Sequence, residues 1–162
     1  MKQMMNVKQL PAGFYLVTTK KYQNNLLAQQ PKQFIGEITG KWEQLPYLSL
    51  KENLLLGVDK PKQTRLLSYI KLTELNSIIF SKKEKELTQF DKIRLQFVHL
   101  LLKSTSVIYL HDCFGSLTIN QVQWLLKFCF HLSQKHSLCI LLFSQNKQLL
   151  QSPYIDDIFL IS

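Results

Sequence analysis

The amino-acid sequence predicts an α/β fold with a mostly parallel sheet flanked by helices. Two segments, Ser106–Leu110 and Leu138–Phe143, are short and almost wholly apolar, the pattern of strands covered on both faces. Helical segments separate them: from residue 88 onward the order is helix, strand, helix, strand, short helix, strand. The 162 residues are 46% hydrophobic and 19% charged, which supports one domain with a buried core and excludes wholesale disorder.

Taken in order, Gly13–Thr19 reads as a buried strand after a Pro-Ala-Gly turn. Asn24–Gln30 has helical composition and stops at Pro31, and Phe34–Thr39 is a short strand. Gly40–Tyr47, with Pro46 inside it, is a loop. Leu50–Gly57 is a short helix ending at a glycine cap. Lys60–Lys62, around Pro61, reads as a turn or linker. Thr64–Leu75 places Leu66, Leu67, Ile70 and Leu75 on a helical face. The charge run Ser81–Glu86 reads as a solvated turn or helix start. Thr88–Lys103 is a helix apolar on most of its circumference, hence buried on more than one side. Ile119–Gln134 is a second long helix, Lys147–Gln151 a short helical turn, and Ile155–Ile161 a last strand. Ligands of parallel sheets sit at the carboxyl ends of the strands, which directs attention to His111, Asp112 and Cys113 and to Ser144, Gln145 and Asn146.

The formal charge is +9, and its placement is uneven. Residues 1–103 hold 17 basic and 8 acidic groups, whereas the remainder balances three Lys against three Asp. A basic half suits phosphates, acidic lipid headgroups, an acidic partner or simply solvent. Only Arg65 and Arg94 are arginines, and no nucleic-acid motif occurs, which weighs against a nucleic-acid reader. Cys113, Cys129 and Cys139 are widely spaced with no CxxC, and read as reduced cysteines of a cytosolic protein. No apolar run reaches the ~18 residues of a spanning helix, and the first ten residues hold no apolar signal core. Trp42, Tyr47, Leu48 and Tyr69, with Lys51, Lys60, Lys62 and Lys71 around them, set aromatic and apolar anchors inside a charged rim, which suits a partner-binding surface or a plain solvated one.

Four segments carry a resemblance. Leu48–Gly57 reads LSLKENLLLG. Leu87–Asp91 reads Leu-Thr-Gln-Phe-Asp and runs without a gap through Lys92-Ile93-Arg94, Leu100-Leu101-Leu102 and Val107–Leu110 to His111-Asp112-Cys113. Leu141–Asn146 reads LLFSQN, and Ile155–Ile161 closes the pattern. In order and spacing the chain resembles the ATP-binding domain of ABC transporters, shortened and degenerate. The resemblance implies a P-loop NTPase-like fold over residues 1–162 as a single domain with a reduced N-terminal β part. Residues of about 45–90 correspond to the glutamine loop and helical segment, and 91–162 to the core from the Walker B strand to the switch-histidine loop.

Each departure from the family pattern has a chemical reading. A phosphate loop needs glycines so that backbone N–H groups converge on phosphate. Here the loop position holds Thr18, Thr19, Lys20, Lys21, Tyr22, Gln23 and Asn24, with no glycine. The magnesium-holding aspartate and the catalytic glutamate correspond to His111 and Asp112; histidine is a poor ligand for a hard cation. The switch histidine corresponds to Gln145, and the aspartate beyond the catalytic strand to Thr118. Gln44 matches the glutamine-loop residue. In the signature, Thr88 keeps a hydroxyl, but Gln89 and Phe90 replace two glycines, and Asp91 sets a carboxylate where phosphate would lie.

The resemblance therefore implies a catalytically inactive ABC ATPase-like subunit with no cofactor and no metal. Its expected partner is a membrane permease or a competent ABC ATPase subunit, in a homo- or heterodimer, in the cytoplasm at the inner face of a bacterial plasma membrane. Two alternatives stay open: an ATP-binding subunit that works with magnesium and ATP in a heterodimer, and a small basic nucleic-acid-binding adaptor.

Overall fold

The structure is a computed structural model, and residues 10–18 and 35–159 are described, the side chains of 157–159 excepted. The chain divides into two compact units, one made of residues 1–37 and 106–162, the other of residues 38–105. The helical composition at Asn24–Gln30 and the loop Thr19–Asn24 lie outside the described residues.

The first unit is built on strands β1 (Gly13–Val17), β2 (Ile35–Ile38, its last residue in the other unit), β3 (Val107–His111), β4 (Cys139–Phe143) and β5 (Asp157–Phe159). They lie in the order β2-β3-β4-β1-β5. β1 pairs in parallel with β4 and β5, and β3 in parallel with β4. All five residues of β1 and of β4 are buried, as fully apolar strands in a parallel sheet require. On one face Tyr15, Val17, Tyr109, Cys139, Leu141 and Phe143 form a cluster, with the Tyr109 and Phe143 rings edge to face at 5.1 Å. Gly13 leaves no room for a side chain, because a Cβ there would lie 2.8 Å from the Tyr15 hydroxyl. That hydroxyl donates to the Pro11 carbonyl. The helix of residues Ile119–His136 packs on β1 and β4 and begins at the Thr118 cap, where Thr118 and Gln121 exchange side chain–backbone bonds.

The second unit is helical: α1 (Leu50–Leu55), α2 (Lys60–Gln63), α3 (Leu66–Leu72) and α4 (Gln89–Leu102), with 3₁₀ turns at Ser77–Ser81 and Glu84–Glu86. The helix Ile119–His136 is accordingly α5. Leu50, Leu54, Leu66, Ile70, Leu95, Val98 and Leu102 meet in one core. Lys60–Gln63 is helical where the sequence predicts a turn or linker. Pro61 stands in the first turn, where its missing N–H costs no hydrogen bond. α3 is shorter than the predicted Thr64–Leu75. Glu74 turns left-handed at φ 54°, and Leu75 N–H closes the end onto the Ile70 carbonyl.

Candidate functional site

The carboxyl ends of β1, β3 and β4 lie level, because Phe143 is in register with both Val17 and His111. Thr18, Asp112 and Ser144 therefore follow at the same edge. Asp112 N–H donates to the Phe143 carbonyl at 3.1 Å, and Ser144 N–H to the Val17 carbonyl at 3.1 Å. These bonds carry the ladder one residue past the strands, and bring the two side chains together. Ser144 Oγ donates to Asp112 Oδ2 and accepts from the Asn146 N–H at 3.1 Å. The other carboxylate oxygen of Asp112 accepts from the Phe114 N–H at 3.4 Å.

His111 is the last residue of β3. Its Nε2 lies 3.5 Å from Glu37 Oε2 on β2, an ion pair when the imidazole is protonated, and its ring is 5.6 Å from that of Phe143. Gln145 is exposed, and Asn146 caps the turn Lys147–Gln151. Among the described residues no group of three or more His, Cys, Asp and Glu gathers around a possible metal position. One imidazole facing a carboxylate and one carboxylate engaged by a hydroxyl do not fit magnesium, which needs several free hard oxygens. Cys113 sits half-buried beside Asp112, and burial, then the Asp112 charge, push its thiol up to about 12. Such a thiol is a poor nucleophile.

The signature segment lies in the helical unit. Thr88 caps α4: its Oγ1 accepts from the Asp91 N–H at 3.0 Å, and its N–H donates to Asp91 Oδ2 at 3.1 Å. The Asp91 carboxylate turns inward. It is 5% exposed, with Lys82 Nζ at 3.2 Å and Arg94 Nη2 at 3.0 Å. Burial alone would raise this carboxyl. The Thr88 N–H and the Lys82 ammonium outweigh it and hold the group below the usual range. Arg94 also covers the Phe90 ring at 4.0 Å from its centroid, and donates to the Glu74 carbonyl. The Thr88 hydroxyl is used as a helix cap.

The loop before α1 is fixed from beneath by Asn53, 8% exposed. Its amide nitrogen donates to the carbonyls of Leu45, Leu48 and Ser49, and its oxygen accepts from the Leu45 N–H at 2.8 Å. Ser49 and Glu52 complete a capping box. The LSLKENLLLG segment is therefore a folding signature: Glu52 caps, Asn53 pins the loop, and Leu54 is fully buried. Gln96 of α4 clamps the other side, with Oε1 accepting from the Gly40 N–H and Nε2 donating to the Lys41 carbonyl. Trp42 and Tyr69 are partly buried against the helical core, and the Gln44 amide oxygen accepts from Trp42 Nε1. Leu48 is half-buried, whereas Tyr47 stands 77% exposed at the loop tip. The anchoring roles of Asn53 and Gln96 went unread in the sequence; the Asn of the ENL run was the signal for the first.

Neither a protein-family model nor a curated protein matches the sequence. The fold, in contrast, matches solved ATP-binding cassettes of ABC transporters. MJ1267, a cassette in its ADP conformation, superposes with a TM-score of 0.73 at 12% identity, over 92% of this chain and 76% of that one. MJ0796, a bacterial cassette solved as a dimer, gives 0.66 at 13% identity, over 86% and 78%. CbiO1 from Clostridium perfringens, part of the CbiONQ transporter complex, gives 0.64 at 17% identity, over 87% and 56%. The chain thus has the ABC ATPase fold, as its segment order predicts. Among the described residues no helix is long and apolar enough to cross a membrane.

Proposed function

We propose that this chain is a catalytically inactive ABC ATPase-like subunit that acts as a binding or regulatory partner in an ABC-type transporter or ATPase complex. The observation that carries the reading is the state of Asp112. The carboxylate in the family's catalytic position is held by Ser144 and the Phe114 N–H, one residue after a histidine that faces Glu37. Each of its oxygens already takes a hydrogen bond from the protein, and the neighbouring position, His111, supplies no anionic ligand for a cation. The glycine-free phosphate-loop sequence acts in the same direction.

The partner is a membrane permease or a competent ATPase subunit, because the cassettes of like fold include one solved as a dimer and one that is part of a transporter complex. Tyr47, presented on a loop pinned by Asn53, is the exposed aromatic of the partner-binding surface. The place of action is the cytoplasmic side of the membrane. Equilibrium binding of ATP to the purified chain, with and without magnesium, tests the reading. No saturable binding up to millimolar nucleotide is expected. Micromolar binding abolished by Lys20→Ala with Lys21→Ala would overturn it, and the chain would then be one half of a nucleotide sandwich.

A further inference from the structure

The positive charge of this chain has a place in the helical unit that the ATPase-like fold does not account for. Lys60 and Lys62 lie on α2, Lys71 on α3 and Arg65 just before it, and the only carboxylate in residues 59–72 is Asp59, paired with Lys62 at 3.5 Å. Thr64 and Arg65, between the two helices, keep right-handed backbone angles, so 60–72 turns nearly as one helix. Its buried side is Leu66 and Ile70. Lys60, Thr64, Leu67 and Lys71, spaced four, three and four residues apart, share the opposite side and are all exposed. Leu67 is 66% exposed in the middle of that stripe, an apolar side chain between two cations. Arg65 is exposed on the flank, and Glu74 closes the stripe at its far end.

We propose that this face binds an anionic lipid surface, with Lys60, Arg65 and Lys71 meeting headgroup phosphates and Leu67 entering the headgroup layer. Cations around a protruding apolar residue are the pattern of interfacial binding. Lysine outnumbers arginine on the face, which suits diffuse attraction to a charged surface; a specific acidic partner would favour the arginine fork. Among the described residues, Lys60, Arg65 and Lys71 have no carboxylate partner to lose on binding. The proposal is independent of whether nucleotide binds.

The test is co-sedimentation of the full chain with vesicles of phosphatidylcholine alone or mixed with phosphatidylglycerol, without nucleotide. Binding is expected only to the anionic vesicles, weakened by salt. Lys60→Gln, Arg65→Gln and Lys71→Gln together should weaken it by about fivefold per charge removed. Leu67→Ser should weaken it at high salt, where electrostatics are screened. A charge-matched control, Lys83→Gln with Lys127→Gln and Lys135→Gln, all exposed elsewhere, should change it far less. Because every substituted side chain is exposed, the variants should keep the wild-type melting temperature. Failure to bind anionic vesicles at low salt overturns the proposal, and so does equal loss in the triple variant and its control. Polyglutamate that binds the same face while vesicles do not would assign it to an acidic protein instead.

Discussion

The Ser144 hydroxyl donates to the Asp112 carboxylate, joining the carboxyl ends of β4 and β3. The bond exists because His111 and Phe143 are in register, so the residues that follow them emerge side by side. A serine there is 2% exposed and meets two partners, Asp112 and the Asn146 N–H. Ser144→Ala should therefore cost about 1 kcal/mol, the worth of a hydrogen bond to a charged group less its solvation. Urea unfolding would show it as a lower midpoint at unchanged slope.

Asp112→Glu lengthens the carboxylate by one methylene, and on the proposed reading it should not produce ATP hydrolysis. Ser144 and the Phe114 N–H still compete for the carboxylate, and His111 remains beside it. Phosphate release at the level of a no-protein control is expected. A magnesium-dependent rate above it would show that this edge supports hydrolysis once the carboxylate is one methylene longer, against the proposed reading.

Asn53 satisfies three carbonyls and one N–H of the loop before α1 while 8% exposed. Asn53→Ala leaves these groups to find water in a half-buried loop, at about 2–3 kcal/mol. Thermal melting should drop by several degrees, and Tyr47 should become more mobile by fluorescence anisotropy. Tyr47→Ala, by contrast, should leave the melting temperature unchanged, since its side chain is 77% exposed.

Burial lowers the His99 imidazole below its ordinary value near 6.5, against the Leu54 carbonyl, which would raise it, and with the Lys103 charge, which adds to the lowering. Nδ1 lies 2.9 Å from that carbonyl and ties α4 to α1 as the donor. The folded state thus binds this proton more weakly than the unfolded chain does. His99 costs no stability above pH 6.5, and its share is lost as pH falls below that value toward the folded one. His99→Gln, which keeps a donor but does not titrate, should remove this part of the fall in urea midpoint below pH 6.5. An unchanged slope would place the titration elsewhere.

Most of the fold was legible because it rests on local pattern. The apolar runs of β3 and β4 and the stripes of α4 and α5 sit where periodicity sets them, since burial on both faces leaves no other composition. Pro61 misled because a proline reads as a break, although a helix tolerates it in its first turn. The site was less legible. Strand ends directed attention to His111, Asp112 and Gln145, but residue types did not show where Asp91 points. Its inward turn depends on Lys82, which arrives from the 3₁₀ turns before α4. The His111–Glu37 pair likewise depends on β2 lying next to β3, which no local pattern encodes.

Scarce glycine leaves a last mark on the helix ends. The chain has five glycines in 162 residues, and three helices finish on other residues in the left-handed region: Glu74 after α3, Ser104 after α4 and Ser137 after α5, at φ of 54°, 55° and 53°. After α4 the turn is a full closing motif, with Thr105 N–H on the Leu100 carbonyl and Ser104 N–H on that of Leu101. A side chain at such a φ costs about 1–2 kcal/mol through the clash of Cβ with the following carbonyl. Glycine removes the clash but adds about 0.5–1 kcal/mol of unfolded-state entropy to be lost. Ser104→Gly and Ser137→Gly should each stabilise by about 0.5 kcal/mol. They should be additive in the double variant, because they end different helices in different units. Ser104→Ala and Ser137→Ala keep the Cβ and should give no gain. Equal effects of glycine and alanine in chemical denaturation would mean that the left-handed turns carry no strain.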